Sequence, residues 1–125
     1  MRPAAIGLVW DDRGRLLAIS RPEPPHEMAI PGGEIEVGET AERAFIREVE
    51  EETGVLVRRP RLLGLMRSPT DGRTIHVFEA REWSGFAFPK EYPGDVVKWM
   101  WPADLVAQGV HYRLQLLQIL QGRRR

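Results

Sequence analysis

Apolar and polar positions follow two different periods along this chain, and each period predicts a class of element. Apolar runs of about four to eight residues bounded by Gly, Pro or Asp are typical of strands. Apolar residues that recur every three or four positions indicate helices instead. Strands are predicted at 4–10, 15–20, twice within 55–68, 73–82 and 96–101, and helices at 41–53, in a short segment opening at Pro102, and at 111–120.

The segments between these elements have the composition of turns and loops. The turn at 11–14 should join the first two strands as a hairpin, and a glycine-rich turn at 31–33 should precede the first helix. Loops are expected at 21–27 and 83–95. The last helix should bury Leu114, Leu117 and Ile119 or Leu120 on one side. Strands, helix, strands and helix in this order predict an α/β domain spanning 1–125, with a mixed sheet between helices.

The helix predicted at 41–53 carries three glutamates on one side. Each helical residue advances about 100° around the axis, so Glu48, Glu51 and Glu52 share a face. Phe45 and Val49 lie beside them and should be buried against a sheet. Carboxylates next to an apolar seam repel one another and resist losing water, and a hard cation with oxygen ligands relieves both effects. The spacing indicates a divalent metal site, although similar glutamates also occur on ordinary solvated helix faces.

A longer pattern around these glutamates separates the two interpretations. Over residues 33–55 the chain resembles the signature of the Nudix hydrolases, because fixed residues and two aliphatic positions fall at the required spacing. With ordinary residue frequencies such a coincidence arises roughly once in a billion starts. The residues that match are Gly33, Glu39, Arg47, Glu48, Val49, Glu51, Glu52, Gly54 and Val55.

The resemblance implies a fold, a reaction and a cofactor. The fold would be the Nudix-type α/β/α sandwich with a mixed β-sheet. The enzyme would be a Nudix pyrophosphohydrolase, which uses water to break a phosphoanhydride bond in a nucleoside diphosphate linked to another group. Mg²⁺ or Mn²⁺ would screen the charge of the polyphosphate and position the attacking water.

The resemblance also implies a role for each residue of the signature. Glu48, Glu51 and Glu52 would be the metal ligands, helped by a backbone carbonyl at Gly32 or Gly33. Together with Arg47 these three glutamates form the expected catalytic set; the general base stays open, with Glu48 the favourite. Arg47 would brace the loop through Glu39, or pair with Glu51 one turn further on. Glu39 and Gly54 are expected to be structural, and Gly54 should end the helix.

Residues outside the signature supply weaker predictions. Family members often carry a further carboxylate before a Trp-containing strand, and Glu91 and Asp95 both precede Trp99. Aromatic and basic side chains could contact a base or phosphates, although each is also typical of a loop anchor or a surface charge. The expected substrate-binding residues are Arg21, Arg67, Phe86, Phe88 and Tyr92.

Composition narrows the class of partner and the compartment. Basic and acidic residues number 18 each, so the formal charge is zero and a nucleic-acid partner is not expected. The absence of cysteine excludes a disulfide framework and thiol chemistry. No apolar run is long enough to cross a membrane, and the start does not resemble a signal peptide, so a cytoplasmic protein is expected. A homodimer stays open.

The expected partner is a small nucleotide substrate. The resemblance favours a (deoxy)nucleoside triphosphate, or an oxidised form of one, since the chain has no long insertion. ADP-ribose, a sugar nucleotide or a dinucleoside polyphosphate is the alternative. A Nudix domain that senses a nucleotide without cutting it is the rival from another class, and the complete glutamate set argues against that rival.

Overall fold

The computed structural model describes residues 1–20, 27–108 and 113–123. The strands in these ranges are short and follow one another closely, with one long helix between the fourth and fifth. The strands are β1 (Ala4–Val9), β2 (Leu16–Ser20), β3 (Met28–Ala29), β4 (Gly32–Glu34), β5 (Leu56–Arg58), β6 (Arg61–Arg67), β7 (Thr74–Ala80), β8 (Glu82–Ser84) and β9 (Val97–Met100). The helices are α1 (Ala41–Thr53), α2 (Pro102–Gln108) and α3 (Arg113–Arg123).

The central sheet has the order β4-β1-β7-β6 and is mixed. Strands β1 and β7 run parallel, with Ala4 opposite Ile75, whereas β4 and β6 join them antiparallel. A second, antiparallel sheet has the order β3-β2-β9, and β5 pairs with β8 as a two-stranded ribbon. The prediction of a mixed β-sheet is confirmed.

Two apolar clusters lie on opposite sides of the strands. On one side, α1 buries Phe45 and Val49, and the Phe45 ring stacks on that of Phe78 with centroids 5.3 Å apart. On the other side, Leu105 of α2 and Leu116 of α3 pack against residues that include Leu8. Helices therefore cover both faces, as predicted for the α/β/α sandwich. The assignment of 1–125 to one domain stays a prediction.

Local chemistry sets both ends of α1. The Thr40 side chain accepts a hydrogen bond from the backbone N–H of Arg43 at 3.1 Å, which satisfies one of the free donors at the helix start. Gly54 adopts the left-handed conformation with φ of 76°, and its N–H donates to the carbonyl of Glu50. The predicted helix at 41–53 and the structural role expected for Gly54 both agree with this geometry.

Three backbone predictions were wrong. They are the hairpin of the first two strands, the glycine turn at 31–33 and the loop at 83–95. Strands β1 and β2 do not form a hairpin ladder: they belong to different sheets and share a single bridge between Trp10 and Leu16. The expected glycine turn instead contains β4, which pairs with β1. The expected loop at 83–95 begins inside β8, which pairs with β5. In each case the strand partner is distant in sequence, so local composition could not identify it.

The buried side of α3 also differs from the prediction. Leu114 is 74% exposed and Leu117 36% exposed, whereas Gln115, Leu116 and Ile119 face inward. The apolar residues of this helix are spread around its circumference, so their spacing does not single out one buried face. The first two residues of the predicted helix, 111 and 112, lie outside the described residues.

Candidate active site

Glu52, in the last turn of α1, is a buried carboxylate tied to the glycine segment. Its Oε1 accepts a hydrogen bond from the backbone N–H of Gly32 at 2.9 Å. Burial raises the pKa of Glu52 to about 8, and the negative charges of Glu48 and Glu91 act in the same direction against the lowering effect of the Gly32 N–H. A carboxylate that is buried among other negative charges is stabilised when it binds either a proton or a cation.

Glu48 lies one turn earlier and packs against Gly33. A Cβ added at position 33 would lie 2.5 Å from the carboxyl carbon of Glu48, so a larger residue would push this carboxyl group aside. Burial raises the pKa of Glu48, although the hydrogen bond from Arg47 lowers it in part. The glycine at this position of the signature therefore has a spatial reason.

Arg47 connects the loop before α1 with the glutamates on it. Its Nε and Nη2 donate to the two carboxylate oxygens of Glu39 at 2.7 and 3.0 Å, and Nη2 also donates to the carbonyl of Glu34 at 3.1 Å. Its Nη1 donates to Glu48 at 2.9 Å and to Glu51 at 3.2 Å. The brace to Glu39 and the pairing with Glu51 therefore coexist, although they were weighed as alternatives.

The paired hydrogen bonds between Arg47 and Glu39 shift the pKa values of both residues. The hydrogen bonds from Arg47 lower the pKa of Glu39 to about 2, with help from the backbone N–H of Glu36. The same contact raises the pKa of Arg47 further above its usual range. Glu39 is thus ionised at neutral pH and holds Arg47 beside the helix.

The donor set fits Mg²⁺ or Mn²⁺ in chemistry, because Glu48, Glu51 and Glu52 supply oxygen ligands and repel one another in the absence of a cation. As the side chains stand, no three acidic, His or Cys groups of the described ranges enclose an ion. Arg47 engages Glu48 and Glu51, and Gly32 engages Glu52. Each of these contacts involves one oxygen of a carboxylate, so the second oxygen of each could bind an ion.

The loop after β8 reaches the carboxyl end of α1. The Phe88 N–H donates to the carbonyl of Thr53 at 3.0 Å, and the Lys90 N–H donates to that of Glu52 at 3.3 Å. The Lys90 ammonium also pairs with Glu50 at 2.5 Å. Its neighbour Glu91 stands close enough for its charge to raise the pKa values of Glu48 and Glu52.

Of the two extra carboxylates predicted, Glu91 is therefore near the cluster. Asp95 lies in a turn, where its N–H donates to the carbonyl of Tyr92 at 2.9 Å. Within the described part of the chain, no hydrogen bond or ion pair links Asp95 to the glutamates of α1.

The other predicted substrate contacts are scattered. Phe88 packs on Gly54, where an added Cβ would meet its ring at 2.3 Å, so this aromatic anchors the loop. Phe86 is 88% exposed and Tyr92 51% exposed. Arg67 donates to the carbonyl of Gly72 in its own hairpin. Arg21 lies outside the described residues.

A cavity of about 260 Å³ opens beside Glu52 and has mostly apolar walls. None of Arg67, Phe86, Phe88 and Tyr92 lines it. Apart from Gly32 and Glu52, sequence reasoning missed the residues that do, because they come from both sheets, α2 and α3 and share no spacing. The lining residues are Ile6, Ile19, Ser20, Met28, Ala29, Ile30, Gly32, Glu52, Ile75, Leu105, Gln115, Leu116 and Ile119.

Comparison with known proteins agrees with this geometry. The family model for the NUDIX domain matches residues 1–118. The chain belongs to the Nudix hydrolase family. This Nudix chain is 34% identical over 120 residues to a MutT-like protein of Streptomyces ambofaciens, covering 95% of the chain and 77% of that protein.

Two other relatives are named for different substrates. An 8-oxo-dGTP diphosphatase of Escherichia coli is 29% identical over 101 residues, which cover 77% of each protein. An ADP-ribose pyrophosphatase of Methanocaldococcus jannaschii is 40% identical over 76 residues, 59% of this chain and 44% of that protein. The predicted class, a Nudix pyrophosphohydrolase, is confirmed at the level of the family, and the relatives do not agree on a substrate.

Solved structures match the whole fold. The crystal structure of a MutT NUDIX hydrolase from Burkholderia pseudomallei superposes with a TM-score of 0.77 at 28% identity and covers 94% of this chain and 95% of that chain. No helix among the described residues is long and apolar enough to span a membrane.

Proposed function

We propose that this Nudix chain hydrolyses a phosphoanhydride bond in a nucleotide and that it needs Mg²⁺ or Mn²⁺ to do so. The observation that carries the proposal is the position of Glu52. This carboxylate stands between the other glutamates of α1 and an apolar cavity that opens beside it. A polyphosphate could therefore lie at the carboxylates while the rest of the nucleotide occupies the cavity.

The chain's own residues have distinct parts in this reaction. Glu48, Glu51 and Glu52 would hold the cation, with a carbonyl of Gly32 or Gly33. When bound, the cation would neutralise phosphate charge and lower the pKa of a coordinated water. Arg47 would orient the carboxylates through its fixed fork to Glu39, as groups behind metal ligands commonly do.

The attacking water must lose a proton to a nearby base. Glu48 is our first choice because it is partly buried and Arg47 donates to only one of its carboxylate oxygens, which leaves the other free to take the proton. Glu91 is the second choice, since its charge reaches the same cluster. The general base stays a prediction for either residue.

For the substrate, we place a (deoxy)nucleoside triphosphate or its oxidised form first. The 8-oxo-dGTP diphosphatase of E. coli supports this choice because the match covers more than three quarters of both proteins. ADP-ribose is the second candidate, supported by the relative from M. jannaschii over a shorter match. Sugar nucleotides and dinucleoside polyphosphates follow. A cytoplasmic location and a homodimer remain predictions.

A substrate panel tests the proposal. The protein is incubated with Mg²⁺, with Mn²⁺ or with a chelator, and with nucleoside triphosphates, 8-oxo-dGTP, ADP-ribose, a sugar nucleotide and a dinucleoside polyphosphate. We expect metal-dependent release of phosphate or pyrophosphate, or cleavage to two monophosphates. Folded protein that binds a nucleotide but turns over no member of the panel would instead be a sensor.

A further inference from the structure

A second pocket lies at the other end of β1 from the acidic cluster. It measures about 980 Å³ and is formed by the turn between β1 and β2, by β5 and by the residues that lead into β8. Gly33 pairs with Ala5 near the start of β1, whereas Asp11 follows the end of that strand. At about 3.3 Å per residue these positions are roughly 20 Å apart along the strand. A ligand in the second pocket would therefore not touch the glutamates of α1.

Three arginines that line this pocket have no acidic partner. They are Arg13, Arg58 and Arg81, and we call the site the arginine pocket. Among the residues that the structure describes, none forms an ion pair or a hydrogen bond with their guanidinium groups. The Arg81 guanidinium lies over the ring of Trp10, 5.4 Å from its centroid, a contact that does not use its N–H donors. The pocket therefore has positive charge and planar sets of donors that remain unused.

Asp11 is an acid of this pocket, but its own turn engages it. Its carboxylate accepts hydrogen bonds from the backbone N–H groups of Arg13 and Arg15 at 3.0 and 2.8 Å. It also accepts one from the Arg15 Nε at 2.7 Å. The charge of Asp11 is thus balanced by Arg15, and the turn that carries Arg13 is held in place.

Glu82 is paired with an arginine other than its partner in the sheet. Arg58 lies opposite Glu82 across the ribbon of β5 and β8, yet the ion pair of Glu82 is with Arg59, at 3.8 Å. Arg59 has a φ of 50°, a left-handed backbone conformation that costs free energy in a residue with a Cβ. Arg59 thereby takes the acid next to Arg58, and the Arg58 guanidinium stays available.

The arginine pocket and its rim carry more positive than negative charge. Five arginines stand there, namely the three without an acidic partner and the two that pair with Asp11 and Glu82. The acids are these two and the exposed Asp12. The whole chain has no formal charge, so the surplus is local. Like charges in one pocket repel one another and attract an anion.

A ligand with several negative charges in a small volume fits this arrangement best. A guanidinium binds a phosphate group through two parallel N–H bonds. Three guanidinium groups around one pocket suit the closely spaced charges of a di- or triphosphate, whereas an acidic peptide spreads its carboxylates along a chain. Small-molecule sites measure roughly 300–1,000 Å³, so a pocket of about 980 Å³ has room for such a group.

We propose that the arginine pocket is a second binding site, which holds the polyphosphate group of a small molecule without a metal ion. Arg13, Arg58 and Arg81 would bind the phosphate oxygens. Trp83 forms a fixed wall of the pocket, because its indole N–H donates to the carbonyl of Trp10 at 2.9 Å. The inference does not rest on the proposed function, since none of these residues belongs to the acidic cluster.

Binding of inorganic tripolyphosphate to metal-free protein tests the inference. The metal is removed on a chelating resin, because a soluble chelator is itself a polyanion. Without a cation, Glu48, Glu51 and Glu52 repel a polyphosphate, so the acidic cluster should not contribute to the signal. We expect calorimetry at low salt to show one tripolyphosphate per chain, with an affinity that falls as salt is added.

The variants Arg58→Gln and Arg81→Gln each remove one guanidinium and keep a polar side chain. We expect each to weaken binding about fivefold to tenfold, and the double variant at least about twentyfold. Arg43→Gln is the matched control, because Arg43 is an exposed arginine of α1. Glu52→Gln should bind tripolyphosphate as wild type does. Circular dichroism would show that each variant is folded.

Amide NMR signals would locate the site without any variant. Tripolyphosphate should shift the signals of residues 11–14 and 81–83 and leave those of 32–34 and 48–52 in place. If an arginine variant does not fold, this measurement on wild type still decides.

The outcomes separate this inference from the proposed function. Binding weaker than about 1 mM, shifts confined to 32–34 and 48–52, or unchanged affinity in both arginine variants would overturn it even if hydrolysis is observed. A hexaglutamate peptide that binds the arginine pocket more tightly than tripolyphosphate would also overturn it, since the ligand would then be an acidic protein segment. Binding that depends on Arg58 and Arg81 would support it even if the substrate panel shows no turnover.

Discussion

Helices α1 and α3 cover opposite faces of the strands, yet both line one cavity. Helix α1 contributes Glu52, whose carboxylate is surrounded by other charges and by the N–H of Gly32. Helix α3 contributes Gln115, whose amide is surrounded by aliphatic side chains. One wall is charged and connected by hydrogen bonds, and the other is neutral and mostly apolar.

This difference indicates a separate role for each wall of the cavity. Charged groups that are held in place by fixed hydrogen bonds suit chemistry that develops charge. Apolar walls suit the binding of an apolar part of a ligand. We therefore expect changes in α1 to alter turnover for every substrate, and changes in the apolar wall to alter the choice among substrates.

The largest effect is expected from Glu52→Gln. This change removes the carboxylate charge that α1 contributes to the cavity, and the amide oxygen can still accept the hydrogen bond from the Gly32 N–H. We expect kcat to fall at least about a hundredfold for every nucleotide, since a metal ligand or key electrostatic group is lost. Steady-state assays of the active substrate would measure this. Glu42→Gln, on the exposed side of the same helix, is the control and should keep its activity.

A smaller loss of activity is expected from Gly33→Ala. This variant tests whether the space beside Gly33 is needed to hold the Glu48 carboxyl group in position. The added methyl group would collide with the carboxyl group of Glu48 at 2.5 Å and force it out of position. We expect kcat/KM to fall about tenfold to a hundredfold, as for other changes that displace a metal ligand. Gly122→Ala introduces the same methyl group into open space, and a similar loss in that variant would contradict the explanation.

Arg47→Lys should have a milder effect, because it keeps the charge and removes the planar fork. Lysine cannot bond both oxygens of Glu39 while also contacting Glu48, so the carboxylates of α1 would be less well oriented. We expect activity to fall about tenfold and the apparent affinity for Mg²⁺ to weaken. The exposed Arg43 gives the control Arg43→Lys; unchanged metal dependence in Arg47→Lys would count against the orienting role.

A further effect, on stability rather than on activity, is the dependence of the unfolding free energy on pH in metal-free protein. Burial raises the pKa of Glu52 from 4.5 to about 8. A raised carboxyl pKa stabilises the folded protein below about pH 4.5, and this contribution is lost as the pH rises through 8. Glu52→Gln has no proton to lose, so its advantage over wild type should grow with pH to the order of 2–4 kcal/mol.

Chemical denaturation in a chelating buffer at pH 5 and pH 8.5 would measure this difference. Mg²⁺ should reduce the stability difference between Glu52→Gln and wild type at pH 8.5, because the cation takes the place of the lost proton only in wild type. An equal stability difference at both pH values would mean that Glu52 is not desolvated.

The sequence predicted the bounds of α1 and the placement of its glutamates almost completely, for a physical reason. The spacing of Glu48, Glu51 and Glu52, the cap at Thr40 and the stop at Gly54 are all local features that a helix converts directly into geometry. Even here the sequence offered the two partners of Arg47 as alternatives, because it could not show that one guanidinium reaches both.

The cavity and the neutral wall could not be predicted in the same way. Gln115 belongs to a helix whose apolar residues point in several directions, so nothing local marks it as buried. The hairpin predicted for β1 and β2 was wrong because each strand pairs with partners far away in sequence. The cavity depends on tertiary contacts that a one-dimensional pattern does not contain.

The attachment of the loop to α1 has one further consequence. Lys90 contacts Glu52 through its backbone and Glu50 through its ammonium group, and Phe88 contacts Thr53. The neighbouring Glu91 is thereby carried on a segment that is fastened to the final turn of the helix. A rotation of that turn would therefore move Glu91 of the loop together with Glu52 of the helix. The relative position of these two carboxylates would change little.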